Sequence, residues 1–165
     1  MKKLQFLGDA KEFNQKAYNL HIQVLNCDIK GVRREIKAGA PVNRAVHAKI
    51  MESFTDVIKW MTPLHIAAMK GCDVIAIDLI KAGANVYSVD ALYRTPMHYA
   101  AMDGYDGIVD YLLFIARRIG DNNPLPILMA DDEGKNPLHY AREENHPNVI
   151  AMLEQAYQNA QAMKG

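Results

Sequence analysis

This chain is short of most features that announce a chemistry, and each shortage excludes something. Of 165 residues only two are cysteine, Cys27 and Cys72. Two are too few for a disulfide scaffold and neither lies in a CxxC pair, so reduced thiols in a reducing compartment are the plain expectation, with a pairing of the two left open as the lesser alternative. Neither charge is in excess: 19 basic and 19 acidic residues cancel. That balance argues against the strong basic field that holds nucleic acid or an anionic membrane. Long apolar runs are missing too. The N-terminal one, Leu4 to Leu7, is broken by Gln5 and too short for a signal segment, and no stretch approaches transmembrane length. A cytoplasmic protein is expected, with secreted delivery into another cell left open.

Catalytic patterns are also wanting. There is no Gly-rich phosphate loop, no H-E-x-x-H and no paired acid–base motif. His47 and His146 have no neighbouring serine or cysteine constellation of the kind used for nucleophilic catalysis. No catalytic residue, metal site or cofactor is predicted, and the chain is read as not an enzyme.

What the chain does have is repetition. Thr62-Pro-Leu-His-Ile-Ala-Ala68 returns 33 residues on as Thr95-Pro-Met-His-Tyr-Ala-Ala101, and after a further 41 as Asn136-Pro-Leu-His-Tyr-Ala141. Behind the first copy come Gly71, an apolar series Val74, Ile75, Leu79, Ile80, and a helix stop Lys81-Ala-Gly-Ala-Asn-Val86. Proline fits the first helical position, where its missing N–H costs nothing and the preceding threonine can cap. Gly83 follows a helix end, where a positive φ is wanted. A period of this length fixes the architecture before any single residue is interpreted.

Signature and period together resemble the ankyrin-repeat family. The resemblance implies an all-α solenoid of paired antiparallel helices with hairpin loops between units, forming one domain over 1–165. Aligning on the helix stop superposes Lys37-Ala-Gly-Ala40 on Lys81-Ala-Gly-Ala84 and Leu20-His21 on Leu64-His65, which adds a first unit without a clear signature. Four repeats result, at about 12–43, 57–89, 90–122 and 131–162, with insertions at about 44–56 and 117–130. The outer two are degenerate, as capping repeats with one face in water tend to be. Lys11, Glu12, Asn14, Gln15 and Lys16 suit a solvated face at the start; Gln155, Gln158, Asn159 and Gln161 suit one at the end. The first insertion reads as a finger or short helix from its apolar spacing, although 54–60 also suits a strand. Ala116-Arg117 stands where a glycine stop is found in earlier units, so the third unit's second helix is predicted to run on toward Gly120.

His21, His65, His98 and His139 recur at one repeat position. Stacked helices lie about 10 Å apart, whereas zinc needs ligand nitrogens about 2 Å from itself. The resemblance instead gives these histidines the work of tying successive loops together by hydrogen bonds.

By the same resemblance, the concave face and hairpin tips bind another protein. The family's variable contact positions fall on Lys59, Met61, Met69 and Lys70 in the second unit. They fall on Leu92, Arg94, Met102 and Asp103 in the third, and on Glu133, Lys135, Glu143 and Glu144 in the fourth. Trp60 and Tyr93 occupy the tip position where the family prefers glycine, and Trp, Tyr and Arg dominate binding hot spots. Asp131 and Asp132 join Glu133, Glu143 and Glu144 in an acidic cluster that would orient a partner, against Lys59, Lys70 and Arg94 nearer the middle. Ile66, Tyr99 and Tyr140 follow the signature histidine and are read as packing between repeats. The expectation is a non-catalytic protein-binding module of unnamed partner, monomeric when free. A regulator that inhibits or neutralises a partner enzyme, and an effector secreted into a host cell, are the alternatives.

Overall fold

The computed structural model describes residues 4–6, 14–50, 57–119 and 126–162. Helices come in pairs: α1 (Gln15–Leu25) with α2 (Ile29–Lys37), α3 (Pro63–Lys70) with α4 (Asp73–Lys81), α5 (Pro96–Met102) with α6 (Asp106–Ile119), and α7 (Pro137–Glu143) with α8 (Pro147–Ala162). First helices pack on first helices, α1 on α3 on α5 on α7. Second helices form a parallel layer, α2 on α4 on α6 on α8. Each unit therefore buries its apolar face partly against its own partner helix and partly against the next unit.

The repeat pattern puts the same position into the core each time. Leu20, Leu64 and Met97 are equivalent and all fully buried, as are Ile75 and Leu79 of α4. Truncating any of them to alanine would cost on the order of 2–5 kcal/mol. The alanines Ala67, Ala68, Ala100 and Ala101, also fully buried, let the first helices approach closely. At the two ends the polar positions named above that are described, Asn14, Gln15 and Lys16 and then Gln155, Gln158, Asn159 and Gln161, are exposed. Lys11 and Glu12 lie outside the described residues.

Two turns recur. Each first helix ends in a residue of positive φ: Cys27 (50°), Gly71 (65°), Gly104 (74°) and Asn145 (57°). The next residue's N–H reaches back five positions, from Asp28 to Gln23, Cys72 to Ala67, Tyr105 to Ala100 and His146 to Ala141. This is the Schellman stop, which satisfies a carbonyl the helix end would orphan. Second helices stop in the same manner at Gly39 and Gly83. No such stop interrupts the third unit, and α6 runs through Ile119 as its sequence predicts; Gly120 lies outside the described residues.

The first insertion is a strand pair, and the helical reading of it is corrected. β2 (Val46–Ile50) pairs antiparallel with β3 (Val57–Met61), and β1 (Leu4–Phe6) adds to the outer edge of β2, giving a three-stranded sheet ordered β1-β2-β3. Apolar residues at 46, 50, 54, 57 and 58 mimic helical spacing, but the segment folds back on itself so that β2 and β3 satisfy one another's backbone, and β1 satisfies the outer edge of β2. In the second insertion, Pro126–Leu128 forms a 3₁₀ turn with Ile127 buried; residues 120–125 lie outside the described ones.

Candidate partner-binding surface

The hairpin tips are built from one short pattern. In the third unit the Asp90 carboxylate accepts the backbone N–H groups of Leu92 and Arg94, each at 2.9 Å, and Asp90 N–H closes the loop on the Arg94 carbonyl at 3.0 Å. Its second oxygen accepts the Tyr99 hydroxyl at 2.6 Å and lies 3.3 Å from Arg94 Nη2. The Arg94 guanidinium lies 4.7 Å from the Tyr99 ring centroid, in cation–π range. The fourth unit repeats this: Asp131 accepts from Glu133 and Lys135 N–H at 3.0 and 2.9 Å and from the Tyr140 hydroxyl. Burial alone would raise the Asp90 carboxyl, but the Tyr99 hydroxyl, the two N–H groups and Arg94 more than offset it, holding Asp90 below the ordinary carboxylate range. Burial and the same carboxylate push Tyr99 up. Tyr140, set the same way against Asp131, is pushed up to about 12.

The brace departs from the sequence reading, which makes Tyr99 and Tyr140 packing residues and puts Asp131 in an acidic cluster: Asp131 is buried and holds a tip together. A signal was available: both tyrosines have an aspartate nine residues before them, and the second unit, with Ile66 in place of tyrosine, has Val57 in place of aspartate. There the tip is secured by strand pairing instead.

Behind the tips runs the histidine ladder. Thr62 N–H donates to His65 Nδ1 at 3.1 Å, so that nitrogen is an acceptor and the proton sits on Nε2, which donates to the Arg94 carbonyl at 3.0 Å. His98 is set identically, from Thr95 N–H to the Lys135 carbonyl at 3.1 Å. His21 Nε2 lies 3.0 Å from the Met61 carbonyl. Each rung fixes the next unit's tip at the residue just before the one that caps its helix. Desolvation drives His65 down to about 4 and lowers His98 and His21 as well. Among the described residues no three His, Cys, Asp or Glu side chains gather as metal ligands would.

At the tips, Trp60 (φ 56°) and Tyr93 (φ 58°) hold the left-handed position that Gly134 (φ 76°) fills in the fourth unit. Such a backbone costs a non-glycine residue roughly 1–2 kcal/mol. Trp60 sits where the strand register shifts, with two residues of β3 facing His47, and its ring centroid lies 5.8 Å from that of His47. Trp60 is 41% exposed and Tyr93 64%.

The other predicted contact residues divide. Asp103, Glu133, Glu143 and Glu144 are exposed; Met69, Lys70, Leu92 and Met102 are half-buried along the same edge. Met61 is a correction: at 3% exposed it belongs to the core, because its place at the end of β3 turns it inward opposite Val46. Arg94 and Lys135 are half-buried and engaged within the molecule, Arg94 by the brace and Lys135 by Glu133 and Glu143 at 3.3 and 3.0 Å. Of Lys59 only the backbone is described. Although the residue as a whole is exposed, partial desolvation of its carboxyl raises Asp103, aided by the Glu144 charge and opposed by His146 and Lys70.

The reading of two separate thiols is also corrected: Cys27 and Cys72 are joined as a disulfide, with α-carbons 6.0 Å apart. Sequence distance hides this pair, since 45 residues separate them, whereas stacking makes them neighbours.

Among the described residues no helix is long and apolar enough to cross a membrane. Comparison with known proteins agrees with the geometry. The family model for ankyrin repeats (3 copies) matches residues 20–123 and 64–163. Rabankyrin-5 of Homo sapiens is 36% identical over 80 residues, 48% of this chain. The match spans only 6% of Rabankyrin-5, so the similarity concerns repeats and not the whole of that protein. Four stacked helix pairs, Schellman stops at a fixed position, a histidine ladder and the family match leave one conclusion: the chain belongs to the ankyrin-repeat family.

Proposed function

We propose that this chain is a non-catalytic docking module that binds another protein along its hairpin tips and first-helix edge, with Trp60 and Tyr93 as anchors. Ankyrin repeats generally mediate protein–protein interaction. The observation that carries the placement is that two large aromatic residues occupy left-handed tip positions at a backbone cost that glycine would avoid. Strained positions cluster where function needs them, and exposed Trp and Tyr supply large contact area. Met69 and Met102 lie on the adjoining edge, and methionine adapts to irregular surfaces.

The test is capture of binding proteins from the native cell with the wild-type chain and with a Trp60→Ala/Tyr93→Ala double variant, followed by affinity measurement on the protein so identified. The double variant should lose at least about tenfold in affinity, the scale of a hot-spot pair, while still unfolding cooperatively. Unchanged affinity overturns the placement.

A further inference from the structure

The turn that ends each first helix is a point of contact between successive units. A Cβ on Gly71 would run into the Tyr105 ring of the next unit, and one on Gly104 would run into His146. His146 also sets its Nε2 2.9 Å from the Met102 carbonyl in the preceding unit. In both cases the left-handed residue of one unit faces the residue just after the left-handed position in the next. Between the first and second units those two places are held by Cys27 and Cys72. Stacking register alone thus brings their α-carbons to 6.0 Å, within the span a disulfide bridges.

The two sulfurs differ in access. Cys27 is exposed, whereas Cys72 is buried at 8%. Exposed disulfides are the labile ones, open to attack by an external thiol. Other ties across this junction are non-covalent: the His21 contact with Met61, Asn43 with Gly83 and Asn85, and the Arg33–Asp78 ion pair at 2.7 Å. Stability in a repeat array is a sum of unit and junction contributions, so what fastens one junction acts first on the terminal unit it holds.

We propose that Cys27 and Cys72 form a reversible redox latch, closing the first unit onto the second when oxidised and releasing it when reduced. The oxidant is a low-molecular-weight disulfide. The Cys27 thiolate attacks one of its sulfurs, forming a mixed disulfide and expelling one thiol. The Cys72 thiolate then attacks the Cys27 sulfur, forming the bridge and expelling the second. Both cysteine protons leave with the expelled thiols; two cysteines are oxidised and one reagent disulfide is reduced. Opening runs the same steps backwards with a thiol reductant. Release reaches the proposed binding edge through the His21 contact with the Met61 carbonyl, next to Trp60.

The experiment uses the full chain treated with glutathione disulfide or with dithiothreitol, read by intact mass after alkylation and by amide hydrogen exchange. The oxidised chain should be two hydrogens lighter and resist alkylation. Reduction should then speed exchange in α1 and α2 at least about tenfold, an order-of-magnitude figure for losing a closed loop of this length, while α5 to α8 keep their protection. Cys27→Gly places glycine where Gly71 and Gly104 sit in later units; it should fold and show identical exchange under both treatments. Alkylatable thiols after oxidation, equal protection in the two states, or equal loosening of every helix on reduction would each overturn the latch.

Discussion

The Tyr99 hydroxyl donates to Asp90 at 2.6 Å, tying a helix to the tip that precedes it in the same unit. The pair is kept or dropped as a whole within this chain: Asp131 with Tyr140 in the fourth unit, Val57 with Ile66 in the second. A buried carboxylate stripped of one donor is worse than none, because the remaining charge stays desolvated. Tyr99→Phe should therefore cost about 1–3 kcal/mol. The double change Asp90→Val/Tyr99→Ile, which copies the second unit, should cost less than the sum of its single changes by about 1 kcal/mol or more. Urea unfolding of the four proteins in the cycle measures this, and strict additivity would refute the coupling.

The sequence carries the scaffold far better than the surface. Thr62-Pro, Gly71 and Gly83 declare helix starts and stops because each answers a local backbone demand, and local demands are readable in one unit at a time. The Asp90 brace, and the preference for a Cys27–Cys72 bridge over two separate thiols, become visible only when units are laid over one another and their differences compared. The β2–β3 hairpin is only half legible for another reason: apolar spacing over so short a run suits helix and strand alike, and the third strand, β1, that extends the sheet is about forty residues away. Met61 lies in the core rather than on the contact edge because a position carried over from other units takes no account of a strand that turns it inward.

The histidine ladder makes stability depend on pH in a definite direction. His65 and His98 have folded pKa values below the unfolded value of about 6.5, so the unfolded chain binds more protons in the acid range. Their contribution is fully present above about pH 6.5 and is lost as pH falls toward His65's value of about 4. His65 alone accounts for roughly 3 kcal/mol across that window. The depression of Asp90 and Asp131 acts in the same sense but at lower pH, below the ordinary carboxylate range. Thermal unfolding should show Tm dropping steadily between pH 7 and 4.5, with a shallower drop in His65→Gln. A flat profile over that interval would contradict the neutral, buried ladder.

Gly71 and Gly83 both have positive φ, at 65° and 92°, but only Gly71 has a neighbour in the way. Gly83→Ala meets open space and should cost about 1 kcal/mol, the price of the backbone alone. Gly71→Ala must also displace the Tyr105 ring, which joins the second unit to the third, and should cost at least about 1 kcal/mol more. Tyr105→Ala removes the obstacle and should recover much of that excess in the Gly71→Ala background. If the two alanine variants unfold at the same denaturant concentration, the turn is not a contact between units.

Tyr93 allows stability and binding to be separated at one position. Tyr93 is 64% exposed, so its side chain contributes little to the core, while its φ of 58° strains the tip. Tyr93→Gly relieves that strain and should raise stability by up to about 1 kcal/mol. Gly134 already occupies this place in the fourth unit without penalty, which argues that the tip itself does not require an aromatic ring. The same variant should weaken the complex with a partner protein, since a ring retained against backbone preference has its use outside the fold. A variant that is more stable and binds equally well would remove Tyr93 from the interface, whereas one that is less stable would show that the ring supports the tip.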